Sequence, residues 1–319
     1  MKVLVTGGAG YVGSTLVPML LAEGKHVRVV DALLHGGESL LGVFSHPEFE
    51  FIRGDLTQAS TVHAAVEGMD AVVHLAAIVG DPACSREPDR ARAVNLVASL
   101  ALVEAARRAG VKRFVFASTC SNYGRMKDPT AYVDESSELA PISLYAETKV
   151  AVEKALLAES GLCATPLRFA TVYGVSARMR FDLTVNEFTL EMLTRGRLVV
   201  FGEQFWRPYI HVRDAARALA LVLSAPESRV AGRVFNVGAT EQNYQKRQLV
   251  DLVRLHAPEA VVESVKREED PRDYRVSFAR VQSELGFEIS RTVPDGIAEV
   301  ARLVKSGVLA DFADPRYRN

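Results

Sequence analysis

The stretch SLYAETK, residues 143–149, places a phenol and an ammonium four positions apart. Side chains at i and i+4 lie on the same face of a helix, so Tyr145 and Lys149 can point into one space. A tyrosine can act as a general base only if its pKa, ordinarily about 10, is lowered by its surroundings. The same pair also occurs by chance on helix surfaces, so the remaining chain must decide whether it is catalytic.

A glycine-rich loop near the start of the chain predicts a dinucleotide site. The apolar run KVLVT leads directly into TGGAGYVG. Gly7 or Gly8 permits a tight turn, and Gly10 lets the backbone approach a diphosphate. Gly13 lets the following helix pack closely against the sheet. We expect the diphosphate at the positive end of the helix that begins near Tyr11.

A carboxylate at the end of the second apolar run indicates which dinucleotide binds. Asp31 closes the run HVRVVD and lies 21 residues after Gly10, where an acid for the adenosine ribose is expected. A carboxylate accepts hydrogen bonds from the ribose 2′-hydroxyl and repels a 2′-phosphate. The sequence therefore predicts NAD. The nearby Lys25 and Arg28 keep NADP as a less favoured alternative.

The order of the elements predicts an α/β fold. Apolar β-rich runs alternate with helical patterns, one of which covers residues 88–109 and stops at Gly110. Such alternation is typical of a doubly wound parallel sheet that is covered on both faces. The runs are 2–6, 26–31, 49–55, 70–77, 112–119 and 163–170.

The alternation becomes irregular after residue 170, and this change predicts two domains. We expect residues 1–170 to form a Rossmann domain that binds NAD, with 207–240 returning to it. Residues 171–319 would then mainly form a smaller, mixed α/β C-terminal lobe that binds the substrate.

Composition excludes several classes of protein. The chain has 319 residues, 48% of them hydrophobic, and a net charge of −1, which argues against a nucleic-acid partner or a basic membrane face. No apolar stretch approaches the roughly 18 residues of a membrane span. The widely spaced Cys84, Cys120 and Cys163 predict reduced thiols, no metal site and a cytoplasmic location.

Several motifs in order resemble the extended short-chain dehydrogenase/reductases, specifically the nucleotide-sugar epimerase/dehydratase family. TGGAGYVG is similar to the family's cofactor loop, and YAETK to its Y-x-x-x-K pair. The other similar segments are GDL (54–56), HLAA (74–77), STCSNYG (118–124), RFATVYG (168–174) and RPYIHVRD (207–214). The resemblance covers nearly the whole chain and implies a nucleotide-sugar substrate.

The resemblance also implies roles for individual residues. Tyr145 would be the general acid or base, its pKa lowered by Lys149 and the nicotinamide, while Thr119 would hydrogen-bond the sugar oxygen. The implied cofactor contacts are Gly7, Gly10, Tyr11, Val12, Gly13, Asp31, Asp55, Leu56, Leu75, Ala76, Ala77, Asn95, Tyr145 and Lys149. The implied substrate contacts are Thr119, Thr171, Asn186, Arg207 and Arg267, the two arginines binding the diphosphate.

Members of this family share a first step, the oxidation of a sugar hydroxyl, usually at C4. The 4,6-dehydratases need an acid/base carboxylate pair directly after the threonine, where this chain has Cys120 and Ser121. That difference disfavours dehydration and decarboxylation. A 4-epimerase and a 4-ketoreductase remain, and the preference of Asp31 for NAD slightly favours the epimerase.

Three further alternatives stay open. Cys120 could be an acid/base for epimerisation at C3 or C5, although a small buried thiol is the favoured interpretation. A non-catalytic NAD-binding protein would not need Thr119, Tyr145 and Lys149 together. A steroid or flavonoid-type reductase would have no use for Arg207 and Arg267.

The resemblance finally implies a homodimer. Relatives usually pair through two long helices of each subunit, which correspond here to residues 88–109 and 145–159. Both segments are rich in alanine, which suits close helix packing.

Overall fold

A parallel sheet of seven strands forms the centre of the protein in a computed structural model. The structure describes residues 1–126, 128, 131–159, 161–266 and 273–319. The described strands are β1 Lys2–Thr6, β2 His26–Asp31, β3 Phe49–Arg53, β4 Ala71–His74, β5 Arg113–Thr119, β6 Cys163–Phe169, β7 Thr171–Tyr173, β8 Arg197–Phe201, β9 Trp206–His211, β10 Phe235–Val237, β11 Asn243–Gln245 and β12 Val261–Val265. The central sheet has the order β10-β6-β5-β4-β1-β2-β3.

Helices cover both faces of this sheet. Those described are α1 Gly13–Ala22, α2 Ala59–Val66, α3 Asp81–Arg86, α4 Pro88–Arg92, α5 Ser99–Arg108, α6 Leu144–Ala158, α7 Thr184–Thr194, α8 Val212–Ser224, α9 Glu227–Val230, α10 Lys246–Arg254, α11 Ala279–Leu285 and α12 Val293–Ser306. None of the described helices is long and apolar enough to cross a membrane.

The apolar strands are buried on both sides because successive side chains point to opposite faces. Val3 and Val5 face a core with α1 and α8, whereas Leu4 faces a second core with α2, α5 and α6. The predicted doubly wound α/β fold is therefore confirmed.

Two small sheets lie outside the central one, in agreement with a smaller mixed α/β lobe. The first has the order β11-β9-β7, with β11 antiparallel to β9, and the second pairs β12 with β8. The segment 207–240 returns to the central sheet only at its end, where β10 pairs in parallel with β6. The strand at the start of that segment, β9, belongs to the small sheet instead.

The predicted helix over 88–109 is continuous but is not α-helical throughout. It starts as α4, forms a wide π-helical stretch at Ala93–Ala98, and continues as α5. The helix ends before Gly110, whose φ of 76° matches the predicted terminating glycine. Wide turns of this kind occur often at functional sites, and this one contains Asn95.

Candidate active site

The carboxyl ends of the parallel strands bring most of the predicted residues to one edge of the sheet. β1 runs into the glycine loop, β2 ends at Asp31, β4 runs into Leu75, and β5 ends at Thr119. Ligands of open α/β sheets bind at this edge. The strand order therefore unites residues that are more than 100 positions apart in the chain.

The glycine loop is shaped to admit the diphosphate of a dinucleotide. Gly7 has a φ of 73°, and a Cβ added there would lie 2.7 Å from the Ala76 nitrogen. A Cβ on Gly13 would lie 2.4 Å from the Gly7 oxygen. Glycine at both positions therefore lets the loop pack tightly against the segment after β4 and against the start of α1, and the N-terminus of a helix is a favourable place for an anion. The residues present therefore fit NAD.

Asp31 stabilises the same loop. Its carboxylate accepts hydrogen bonds from the Ala9 nitrogen at 3.0 Å and from the Leu33 nitrogen at 2.8 Å. Burial raises the pKa of this carboxyl. Since a carboxylate has about four acceptor positions, two remain for ribose hydroxyls. Asp55, in contrast, is exposed and caps its own turn through the Thr57 nitrogen at 2.9 Å, while Leu56 is buried beside it.

Tyr145 and Lys149 lie on one face of α6, as their spacing predicts. The Lys149 Nζ is 5.8 Å from the centre of the Tyr145 ring and 4.7 Å from that of Phe116. It donates a 2.8 Å hydrogen bond to the Ala117 carbonyl on β5. Thr119 follows two residues later, with its hydroxyl accepting from the Ser121 nitrogen at 3.1 Å. A phenol, an ammonium and a hydroxyl are thus assembled around the end of β5.

The groups of the chain by themselves raise the pKa of Tyr145. Burial is the main cause, and the neighbouring Cys84 and Asp81 act in the same direction. Burial also lowers the pKa of Lys149 to about 7. The lowering that the resemblance implies includes the positive charge of the nicotinamide, so it stays a prediction for the enzyme with NAD bound.

Comparison with known proteins identifies the family. The model of the NAD dependent epimerase/dehydratase family matches residues 3–238. The chain belongs to this family. It is accordingly an NAD-dependent enzyme of the extended short-chain dehydrogenase/reductase type, which confirms the predicted resemblance and the predicted cofactor.

Three proteins illustrate the range of the family. The UDP-glucose 4-epimerase of Corynebacterium glutamicum is 30% identical over 92% of each chain. The dTDP-glucose 4,6-dehydratase DesIV of Streptomyces venezuelae, solved with NAD bound, superposes with a TM-score of 0.85, covers 96% of this chain and 97% of its own, and is 28% identical. A 3 beta-hydroxysteroid dehydrogenase/isomerase of Mycobacterium tuberculosis is 32% identical over 75% of this chain and 65% of its own.

Within this epimerase/dehydratase-family chain, Asn95 holds a loop in place. Its Oδ1 accepts from the Ile78 nitrogen at 2.8 Å, and its Nδ2 donates to the Ile78 oxygen at 2.9 Å. The side chain is buried. Asn95 therefore fixes the segment after β4, which contains Leu75, Ala76 and Ala77, and its predicted contact with the cofactor stays a prediction.

Glu153 is a positioning residue that the sequence analysis missed. It lies eight residues after Tyr145 on the same face of α6, accepts from the Ser118 hydroxyl at 2.9 Å, and forms a buried ion pair with Arg168. The Arg168 Nη1 in turn donates to the Tyr123 hydroxyl at 2.9 Å. The spacing 145, 149, 153 is a signal that could have revealed it, since a buried helix face rarely contains a carboxylate without a partner.

Cys120 points into the protein. Its Sγ donates to the Arg168 carbonyl at 3.2 Å, and the residue is 1% exposed within an apolar core. Burial raises the pKa of the thiol. These contacts favour the interpretation of Cys120 as a small buried thiol over that of an acid/base for the sugar.

Asn186, predicted to contact the substrate, is hydrogen-bonded within the protein. Its Oδ1 accepts from the Gly174 nitrogen at 2.9 Å, and its Nδ2 donates to the Arg180 oxygen at 2.9 Å and to the Tyr11 hydroxyl at 3.2 Å. The residue is completely buried. The protein uses both polar groups of this amide, so Asn186 positions Tyr11 of the glycine loop.

Arg207 lies on β9, where its Nη1 donates to the Trp206 oxygen at 2.6 Å and its guanidinium lies 5.3 Å from the centre of the Tyr274 ring. The Tyr274 hydroxyl is 3.4 Å from the Ser121 Oγ, which adds a buried phenol that the sequence analysis missed. Thr171 is half-buried at the start of β7. The predicted Arg267 lies outside the described residues.

Proposed function

We propose that this enzyme is a nucleotide-sugar epimerase that oxidises the hydroxyl at C4 and reduces the resulting ketone on its other face. One observation supports this choice above all: the two residues after Thr119 are a buried thiol and a hydroxyl, Cys120 and Ser121. These positions provide no carboxylic acid for the elimination of water. Thr119, Tyr145 and Lys149 suffice for proton transfer at a single sugar oxygen.

The proposed roles follow from the chemistry of each group. NAD+, which the glycine loop, Asp31 and Lys149 would hold, would supply reversible hydride exchange with the sugar carbon. Tyr145 removes the hydroxyl proton and later gives it back, while Thr119 hydrogen-bonds the same oxygen. Lys149, fixed by Ala117, has two further N–H groups for the ribose next to the nicotinamide.

The proposed substrate is a hexose linked to a nucleoside diphosphate. Arg207 is 8% exposed, and a buried guanidinium matches a diphosphate geometrically and electrostatically. We retain Arg267 as the second proposed diphosphate contact. A steroid carries no diphosphate for a guanidinium to bind, so we do not infer the substrate from the steroid-dehydrogenase relative.

The main alternative is a 4-ketoreductase, which would use the same residues. UDP- and dTDP-hexoses labelled with deuterium at C4 distinguish the two. A 4-epimerase converts them to the C4 epimer and retains the label. The NADH concentration then stays constant. A ketoreductase leaves these sugars unchanged and consumes NADH only with a 4-keto sugar. NAD that stays bound through purification would support the epimerase, and net NADH consumption would contradict it.

We also propose the homodimer that the sequence predicts. Val97 and Leu100 are 63% and 37% exposed on the segment that leads into α5, next to α6. A partner that covers them would bury apolar surface. Light scattering should give a dimer for the parent and a monomer for Val97→Glu.

The proposed domains also have separate tasks. Residues 1–170 bind NAD, and residues 171–319 mainly bind the sugar nucleotide.

A further inference from the structure

The loop that follows β7 packs directly on the cofactor loop. The Ser176 hydroxyl donates to the Tyr11 carbonyl at 2.7 Å, and the Arg178 nitrogen donates to the Ser14 hydroxyl at 3.3 Å. The Tyr11 hydroxyl donates to the Gly174 carbonyl at 2.6 Å. The backbone of Arg178 therefore lies against the first turn of α1, where the glycine loop admits a diphosphate.

The side chain of Arg178 is buried but incompletely satisfied. It is 6% exposed, and its Nε has no hydrogen-bond partner among the residues that the structure describes. Burial and the charge of Arg180 lower its pKa to about 10, while Asp31 and Asp182 oppose this effect. The guanidinium is thus charged at neutral pH. A buried charged N–H without an acceptor is costly, and a bound anion would remove that cost.

Arg180 provides an internal comparison. Its Nε and Nη2 donate to the two carboxylate oxygens of Asp182 at 3.0 and 2.6 Å. This arginine has a complete carboxylate partner within the protein. Arg178 interacts with the ribose-binding carboxylate Asp31 only at longer range, so its charge remains available to a ligand beside Asp31.

The C-terminal segment Phe312–Asn319 holds Arg178 from the other side. The Arg178 Nη2 donates to the Arg318 carbonyl at 3.0 Å and to the Asn319 Oδ1 at 2.7 Å. The rings of Phe312 and Tyr317 pack edge-on against Phe181, with centres 5.5 and 5.9 Å away. These contacts anchor the segment to the loop between β7 and α7.

The same segment reaches the Rossmann side of the cleft. The Arg316 Nη1 donates to the Glu38 Oε1 at 2.7 Å, and Glu38 belongs to the connection that starts at Asp31. The Arg86 Nη2 donates to the Asn319 carbonyl at 3.2 Å. Phe312–Asn319 therefore bridges both sides of the cofactor site at its adenosine end.

We propose that Arg178 binds the diphosphate of NAD, and that Phe312–Asn319 is a latch that holds this arginine and slows release of the dinucleotide. The proposal rests on the use of NAD by the family and is independent of which sugar reaction follows. A latch of this kind suits an enzyme that keeps its cofactor between turnovers.

The first test compares ligands with and without phosphates. NAD, ADP and adenosine are titrated against the fluorescence of bound NADH in the parent, Arg178→Gln and Arg178→Lys. Arg178→Gln should weaken NAD and ADP by about tenfold or more and leave adenosine within about twofold. Arg178→Lys should recover part of the loss. An equal loss for adenosine and ADP, or none for ADP, would overturn the assignment of Arg178.

The second test measures release of NAD from the loaded enzyme into an excess of competing nucleotide. Arg316→Gln breaks the bridge to Glu38 and should accelerate release by about two- to fivefold, the range expected for an exposed ion pair. The exposed Arg302 provides the matched control, and Arg302→Gln should release NAD at the parental rate. Unchanged release in Arg316→Gln, at an unchanged melting temperature, would refute the latch. Neither test measures sugar turnover, so failure of the proposed epimerase activity would be seen separately.

Discussion

The Lys149 Nζ donates a 2.8 Å hydrogen bond to the carbonyl oxygen of Ala117. This contact joins α6, which carries the proposed acid/base Tyr145, to the strand that ends at Thr119, so one lysine links the two elements. It also holds the ammonium in a buried place beside the Phe116 ring, which explains why the pKa of Lys149 is lowered to about 7.

The buried lysine should make stability depend on pH. Below pH 7 the lysine is protonated in both the folded and the unfolded chain, so the folded protein bears the full free-energy cost of the buried charge. Between about pH 7 and 10.5 only the unfolded chain binds this proton, so stability rises with pH relative to a variant without the lysine. After removal of nucleotide, Lys149→Met should melt at a higher temperature than the parent near pH 7.

This advantage of Lys149→Met should shrink towards pH 10. Lys154→Met, at an exposed lysine of the same helix, is the matched control for replacing a lysine of α6 by methionine. A difference between Lys149→Met and the parent that does not change with pH would contradict the lowered pKa of Lys149.

Removal of the Tyr145 hydroxyl should abolish chemistry and preserve cofactor binding. Tyr145→Phe keeps the ring on α6 but cannot transfer a proton, so kcat should fall by about 10²–10⁴. The affinity for NADH should stay within about twofold, as fluorescence titration can measure. If turnover persists near the parental rate, another group, such as the Tyr274 phenol, is the acid/base.

A methyl group in the glycine loop should block the cofactor site. The Cβ of Gly13→Ala would lie 2.4 Å from the Gly7 oxygen and 2.6 Å from the Gly8 Cα, and these backbone atoms cannot move independently. We expect NAD affinity to fall by at least about tenfold and stability by about 1–3 kcal/mol. Gly42→Ala is the control, because its Cβ meets nothing within 4 Å. Equal NAD affinity in the two variants would disprove the assignment of the glycine loop to the cofactor site.

The stability of the fold should depend on Glu153 and Arg168 being kept together or replaced together. Glu153→Ala leaves the Arg168 charge buried, which should cost about 3–5 kcal/mol in urea unfolding. The double variant Glu153→Met with Arg168→Met should recover part of that loss, since no buried charge remains. Glu263→Ala, at the exposed pair with Arg197, should have little effect. No recovery in the double variant would indicate that the hydrogen bonds to Ser118 and Tyr123 dominate.

The fold could be predicted from local patterns. Buried parallel strands are continuous apolar runs, so the bounds of β1 and β2 were predicted correctly, as was a helix directly after the glycine loop. The substrate-binding residues were harder to predict from the sequence. Asn186 has the chemistry of a ligand contact in the sequence, yet its hydrogen bonds are all made inside the protein.

What the sequence by itself determined was the type and order of the elements and the pairing of Tyr145 with Lys149 on one helix face, because these depend on periodicity and on residues close in the chain. The tertiary structure alone decided what depends on distant neighbours. Burial raises the pKa of Tyr145, Glu153 pairs with Arg168, and Arg178 lies between Asn319 and the first turn of α1. Desolvation and long-range partners are set by packing, which no local pattern specifies.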